Sequence, residues 1–178
     1  RITDETAEAF ELGYSPVRGD SVFETLVKRG FSIEVCQKAG LVTRSNAGRY
    51  YDPLYGRLIF PIHDTFGHVV GFGGRIMPQA SKNVLGVEED ESNGEAPKYI
   101  NSPETPVFSK GRLLYGLMKA KSAVLEQKKI LIVEGYMDVI AVHQAGFRIA
   151  VAPLGTALTR DHAKLMKRYT ETVLSFFD

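Results

Sequence analysis

Glu134 closes an apolar run, Ile130-Leu131-Ile132-Val133, and is followed by Gly135-Tyr136-Met137-Asp138. Two carboxylates therefore lie four residues apart, where a buried strand hands over to a helix. Residues four apart share a helix face, and Gly135 lets the backbone bend sharply between them. A second apolar run, Val173-Leu174-Ser175-Phe176-Phe177, ends on a third carboxylate, Asp178. In an open parallel sheet the C-terminal ends of the strands converge on the crevice where ligands bind. Glu134, Asp138 and Asp178 are thus expected to face one another across one site. Convergent carboxylates repel each other unless cations compensate, and the divalent cations they hold serve phosphate chemistry. The competing reading is helix capping, since acidic groups near a helix N-terminus stabilise it whatever the function. That reading gives no reason for Asp178 to close a buried apolar run.

A second constellation lies in Pro97-Lys98-Tyr99-Ile100-Asn101-Ser102-Pro103-Glu104-Thr105. It combines a cation, a stackable ring and an amide in a Pro-bracketed loop. The trio suits gripping a single strand: Lys98 for phosphate, Tyr99 for a base or sugar, Asn101 for a hydrogen bond. Over residues 97–129 the basic residues are Lys98, Lys110, Arg112, Lys119, Lys121, Lys128 and Lys129, against Glu104 and Glu126. Such a segment suits a phosphate backbone, or else a solvated helix face. The cluster Gly71-Phe72-Gly73-Gly74 is not a phosphate loop: Arg75-Ile76-Met77-Pro78 follows instead of a helix, and neither nucleotide-binding spacing is present. Close backbone packing in a strand is expected there. His63, His68, His143 and His162 show no pairing at metal-ligand spacing, which favours solvent or core roles.

The elements that must position these groups follow from patterning. Thr3 N-caps a helix with Asp4 and Glu5 in its first turn, running towards Gly13; Gly19-Asp20 starts another that stops at Gly30; Ser32 caps a third that ends at Gly40. Cys36 belongs to an apolar helix face. Residues 57–62 and 68–75 read as a β-hairpin around 63–67, with Pro61 marking an edge strand or a bulge. Residues 81–96, with the acidic run Glu88-Glu89-Asp90-Glu91, read as a mobile loop. A long amphipathic helix is predicted over 111–127, with Leu113, Leu114, Leu117, Met118 and Val124 inward. From 128 the pattern is strand to Val133, helix to Gln144, strand 148–152, helix 160–169 with Thr159 as N-cap, and strand to Phe177. That βαβαβ order implies a parallel sheet with right-handed crossovers.

The chain has 178 residues, 44% hydrophobic and 24% charged, with a net charge of +1. This is the composition of an ordinary globular protein of one or two domains, and the net charge does not by itself select a polyanionic partner. No apolar stretch approaches the ~20 residues that span a bilayer, and the start is not a signal peptide. One cysteine permits no intrachain disulfide and suits a reducing compartment, so the cytoplasm is the expected location. Both ends look cut, as in a piece of a longer protein.

In this order the segments resemble the RNA polymerase core of bacterial (DnaG-type) DNA primases. The matching pieces are Phe10-Glu11-Leu12-Gly13-Tyr14-Ser15-Pro16, Gly56-Arg57-Leu58-Ile59-Phe60-Pro61-Ile62, Val70-Gly71-Phe72-Gly73-Gly74-Arg75, residues 97–105, Phe108-Ser109-Lys110-Gly111 with Leu114-Tyr115-Gly116-Leu117, Val133-Glu134-Gly135-Tyr136-Met137-Asp138-Val139, and Ala152-Pro153-Leu154-Gly155-Thr156-Ala157. The resemblance implies a basic α+β subdomain over 1–127, followed over 128–178 by the first part of an α/β Toprim domain, the metal site shared with topoisomerases and some nucleases. It implies that Glu134 is the Toprim glutamate, metal ligand or acid/base, that Asp138 is a second acidic ligand, and that Asp178 is the first Asp of an Asp-x-Asp pair. It assigns Arg57, Arg75, Lys98, Tyr99, Asn101 and Lys110 to the groove for template and nascent strand, and Gly135, Gly155 and Thr156 to the active-site loops.

The implied activity is nucleotidyl transfer: a DNA-directed RNA polymerase making short primers on single-stranded DNA from ribonucleoside triphosphates, with Mg²⁺ or Mn²⁺. The family's zinc-binding domain and its domain for the replicative helicase are absent from this chain, as is the second Asp of the pair, so the fragment alone is expected to bind nucleic acid and catalyse poorly or not at all. The acidic run looks like an insertion. A bacterial, nucleoid-associated location follows from the same resemblance. The alternatives are a Toprim-type nuclease or topoisomerase fragment, and a non-catalytic nucleic-acid-binding module.

Overall fold

The computed structural model describes residues 1–77 and 97–177. The acidic segment and Asp178 lie outside the described residues. The elements, in chain order, are α1 (Asp4–Ala9), β1 (Gly13–Ser15), α2 (Ser21–Lys28), α3 (Ile33–Lys38), β2 (Thr43–Arg44), β3 (Tyr50–Tyr51), β4 (Arg57–His63), β5 (Val69–Ile76), β6 (Tyr99–Asn101), a 3₁₀ turn (Lys110–Arg112), α4 (Leu117–Gln127), β7 (Lys129–Ile132), α5 (Tyr136–Gln144), β8 (Ala150–Val151), α6 (Arg160–Lys167) and β9 (Thr172–Ser175). They form two compact units. The first comprises residues 1–11, 61–70 and 108–178; the second comprises 12–60 and 71–107.

In the first unit the predicted βαβαβ alternation holds. β7 pairs in parallel with β8 and with β9, giving the order β8-β7-β9. Leu117, Ala120 and Val124 of α4, Ile130 and Ile132 of β7, Val151 of β8, and Leu165 and Met166 of α6 form one buried cluster. α1 packs at the other end of the unit. The Phe10 ring lies edge-on to His143 at 5.3 Å, and the Thr3 N–H donates to Gln144 Oε1 at 2.8 Å.

His143, expected in a solvent or core role, is half-buried and hydrogen-bonded within the first unit. Its Nε2 lies 2.9 Å from the Ala150 carbonyl, and burial lowers the imidazole's pKa from its ordinary value. The folded protein therefore binds the His143 proton less readily than the unfolded chain does. Below about pH 6.5 the unfolded state gains protons first and stability falls. Urea midpoints should decline as pH drops from 7 towards 5, and His143→Gln should flatten that decline. A slope unchanged by the substitution would assign the acid sensitivity to another group.

Four expectations are corrected. The helix predicted over 111–127 begins only at Leu117: Gly116, at φ 80°, reverses the chain, and Tyr115 is instead bridged to Ala152, its N–H donating to that carbonyl at 2.8 Å. The first helix stops at Ala9, well before Gly13, which opens a strand paired with β4. Pro61 does not mark an edge, because β4 lies between β1 and β5; the β1 ladder ends at Ile59, so the residue without an N–H sits beyond that pairing. Finally, the apolar run that forms β9 is exposed throughout, with Phe176 66% accessible. Among the described residues β9 pairs with β7.

The second unit is built on the sheet β1-β4-β5-β6 and the small ladder β2-β3. β4 and β5 run through both units, since residues 61–70 of this hairpin count with the first. Gly74 of β5 serves close packing, as predicted for this cluster: a Cβ there would meet Arg57 Cδ and Leu54 Cδ2 at 3.0 Å. α3 carries its predicted cap, with the Val35 N–H donating to Ser32 Oγ at 3.3 Å. The cap of α2 comes from elsewhere. Asp52, 2% exposed, accepts from the Val22 and Phe23 N–H groups at 2.7 and 2.8 Å, whereas Asp20 makes no side-chain cap. A cap thirty residues away in sequence carries no local signal.

Candidate active site and nucleic-acid interface

β7 is the central strand of the parallel sheet, and Glu134 emerges just past its C-terminal end. All three strands point the same way, so the segments leaving them are brought to one edge: Glu134 and the start of α5 after β7, the 153–158 loop after β8, and Phe176-Phe177 after β9. The last of these is tied directly to the centre, the Phe176 N–H donating to the Ile132 carbonyl at 2.9 Å. Glu134 and Asp138 are both exposed there, while Ile132, Val133, Val139 and Ile140 are buried and hold the junction. Asp138 Oδ2 accepts from the Gly135 N–H at 3.0 Å. The capping role is thus realised for Asp138, alongside any role as a ligand. Gly155, at φ 69°, and Thr156 are exposed in the loop on the β8 side.

Both ends of that loop are anchored to residues 110–115. Ala152 is bridged to Tyr115. At the far end, Thr159 Oγ donates to the Gly111 carbonyl at 2.6 Å, and His162 Nδ1 accepts from the Thr159 N–H at 3.2 Å. That acceptor role leaves the proton on Nε2, which lies 3.0 Å from the carbonyls of both Lys110 and Leu113. His162 is 0% exposed. It secures the backbone of the turn that carries Lys110, a more specific task than the solvent or core role expected from the sequence. The available signal was its position three residues after the N-cap Thr159, where a side chain reaches back to the cap.

Among the described residues no group of three or more His, Cys, Asp or Glu converges as a metal centre. The two exposed carboxylates nevertheless fit one class of ion. Mg²⁺ typically takes one or two protein carboxylates and completes its shell with water and substrate phosphate. The donors are hard oxygens at an open edge, as that ion requires.

The second unit carries five of the six predicted nucleic-acid residues. Tyr99 and Arg75 are register partners across β6 and β5, with the Arg75 guanidinium carbon 5.7 Å from the Tyr99 ring centroid. This cation–π contact leaves Tyr99 36% exposed. Asn101 lies two residues on and shares its face. Lys98 is exposed just before the strand.

Arg57 behaves differently from the sequence expectation of a groove contact. It is 6% exposed, and its Nη1 donates to the Pro97 carbonyl at 2.9 Å and lies 3.4 and 3.5 Å from those of Gly74 and Lys98. Burial lowers its pKa from the ordinary value. The geometry makes Arg57 the residue that fixes the 97–98 backbone and so places Lys98. Lys110, the sixth, is half-buried in the first unit.

Comparison with known proteins agrees with this layout. Residues 1–121 match the family model of the DNA primase catalytic core, N-terminal domain, and residues 128–178 match the Toprim domain. The DNA primase of Synechococcus elongatus is 45% identical over 99% of this chain, which covers 24% of that protein. The crystal structure of the Aquifex aeolicus primase zinc-binding and RNA polymerase domains superposes with a TM-score of 0.83 at 36% identity, over 99% of this chain and 40% of that one. The structure of the DnaG primase catalytic domain bound to ssDNA gives 0.78 at 40% identity, over 98% and 50%. The chain thus spans about a quarter of the length of the curated relative. An α+β region matching the primase core, running into a parallel Toprim sheet with Glu134 at the end of its central strand, is the signature of one family: the chain belongs to the DnaG-type bacterial DNA primases, within their catalytic core.

Proposed function

We propose that this chain is the part of a DNA primase that holds single-stranded DNA and begins the metal site for RNA primer synthesis, in the cytoplasm. Residues 1–127 serve as the nucleic-acid-binding subdomain and 128–178 as the first part of the Toprim domain. The observation that carries the reading is the parallel β8-β7-β9 sheet, whose central strand ends on Glu134 beside Asp138. A DnaG catalytic domain of the same fold has been seen with ssDNA bound, which supports the template as the partner of the β6 face.

Glu134 and Asp138 would hold a divalent ion, Mg²⁺ or Mn²⁺, with Asp178, outside the described residues, as the third proposed ligand. When bound, such ions stabilise the attacking and leaving oxygens of phosphoryl transfer. The chain's own contribution is placement. The Gly135 N–H orients the Asp138 carboxylate, and the anchored 153–158 loop holds Gly155 and Thr156 at the same edge. Lys98 and Lys110 neutralise strand phosphates, while the Arg75-Tyr99 pair offers a flat cationic platform for a base or sugar. The reaction assisted is attack of a 3′-hydroxyl on the α-phosphate of a ribonucleoside triphosphate, with pyrophosphate leaving. Contact with the replicative helicase belongs to a domain beyond this chain.

Two measurements test the reading. In the full-length protein, incubation with template and ribonucleotides should yield new RNA on a gel. Cleaved template with no new RNA would favour a Toprim nuclease or topoisomerase instead. Lys98→Ala and Lys110→Ala should each weaken ssDNA binding several-fold and lower the slope of log K against log salt by about 0.7. An unchanged slope in both removes the groove assignment.

A further inference from the structure

The second unit contains a hollow of about 390 Å³ that no residue of the proposed mechanism explains, apart from Asn101 at its rim. Its walls come from three elements. α3 supplies Gln37; the β2-β3 ladder supplies the register partners Thr43 and Tyr51; the end of β6 supplies Asn101, followed by Pro103. Val42 and Pro53 complete the side-chain lining. One backbone feature shapes the hollow. Gly40, at φ 70°, follows α3, and a Cβ there would stand 2.8 Å from Pro103 Cγ. Only glycine permits that approach, so the turn after α3 and the proline close on each other below the opening.

The chemistry of the lining narrows the occupant. None of the lining residues is charged, which disfavours both a phosphate and a cation. Two amides, a hydroxyl, a tyrosine ring 37% exposed, the Val42 side chain and two proline faces remain. They suit a flat, neutral group with hydrogen-bonding edges and apolar faces. The volume is within the range of small-ligand pockets, roughly 300–1,000 Å³.

The hollow is also continuous with the β6 face. Asn101 and Tyr99 share that face, separated by about 6.6 Å along the strand. A chain whose phosphates meet Lys98 and whose sugar or base meets Tyr99 would present its next base to Asn101 and the hollow.

We propose that this hollow is a nucleobase pocket in which Gln37, Thr43 and Asn101 meet the base edge and Tyr51 its face. The inference rests on the reading of the β6 face as a strand-binding surface and adds a base-contacting site to it. The base belongs either to the DNA strand or to a free ribonucleotide; the lining is the same for both, and the test separates them.

The test uses the purified protein and fluorescence anisotropy with three probes: a short single-stranded oligonucleotide, its counterpart of equal length in which every base is removed, and a fluorescent ribonucleoside triphosphate. Gln37→Ala, on an exposed helix position, should weaken binding of the intact strand about threefold, and Tyr51→Leu about tenfold. Neither should alter binding of the abasic strand or the salt slope, because no phosphate contact is lost. Loss confined to the triphosphate would also support the pocket and would make the free nucleotide its occupant. If Gln37→Ala leaves both probes unchanged, or weakens intact and abasic strands equally, the hollow takes no base. Lys98→Ala measured beside it distinguishes the two levels of the argument. A weakened, less salt-dependent Lys98→Ala with a silent Gln37→Ala removes only the pocket, whereas silence in both removes the strand-binding face.

Discussion

Glu134→Gln in the full-length protein should lower primer synthesis by roughly 10³-fold, about 4 kcal/mol of transition-state stabilisation, while ssDNA affinity stays within twofold. The substitution keeps the shape of the side chain, removes its charge and turns one acceptor oxygen into an amide donor. A divalent cation held by carboxylates depends on that charge, and Mg²⁺ in particular binds through few protein ligands, so one neutralised ligand is a large fraction of its site. Glu134 is exposed, two positions before α5, and the helix cap is made by Asp138 and the Gly135 N–H. Stability should therefore move by no more than about 0.5 kcal/mol. That combination, lost synthesis with retained folding and template binding, distinguishes a metal ligand from a structural carboxylate. Full primer synthesis by the variant would put the reacting phosphates elsewhere.

The second large effect concerns the fold that presents this edge. Gly116→Ala should destabilise the protein by about 2–5 kcal/mol. Two costs add. At φ 80° a Cβ carries a left-handed backbone penalty of roughly 1–2 kcal/mol. It would also stand 2.7 Å from Val139 Cγ1 and 3.2 Å from the Ala150 carbonyl, and overpacking of that kind costs roughly 1–3 kcal/mol. Val139 and Ala150 are both 0% exposed, so neither has solvent to move into. Gly67→Ala is the matched control: φ is 94°, yet nothing lies within 4 Å of its Cβ position, so only the backbone penalty of about 1–2 kcal/mol applies. Urea unfolding of both variants yields the packing cost by difference. Equal losses would show that Val139 shifts aside and that the close approach at Gly116 is not structurally demanding.

Gly116 also marks where local patterning misled. Leu113, Leu114, Leu117 and Val124 carry a helical period, and that period extends backwards through 111–116 without a visible break. The break is tertiary: Tyr115 finds a strand-like partner in Ala152, and Gly116 turns the chain so that α4 can lie over β7 and β8. By contrast, the helices beginning after Thr3, Ser32 and Thr159 were legible, because each cap is satisfied within three residues of itself. The cap of α2 was not, since Asp52 reaches it from a different part of the chain. Arg57 shows the same limit for a functional residue. The resemblance to primases assigns it to the strand groove, and only the positions of the Pro97 and Lys98 carbonyls show its guanidinium turned inward to place its neighbour.

What the sequence determined by itself is the chemistry available and the local grammar around it: a strand that ends on Glu134, a helix that opens between Glu134 and Asp138, a Lys-Tyr-x-Asn strip, and an order of motifs shared with primases. These are properties of neighbours along the chain, set by period, capping and bond geometry. What tertiary structure alone decided is which strand ends lie side by side, that Arg57 and His162 act on backbone carbonyls, and that Gln37, Tyr51 and Asn101 line one hollow. Those facts depend on contacts between residues far apart in sequence, where packing rather than local propensity selects the arrangement.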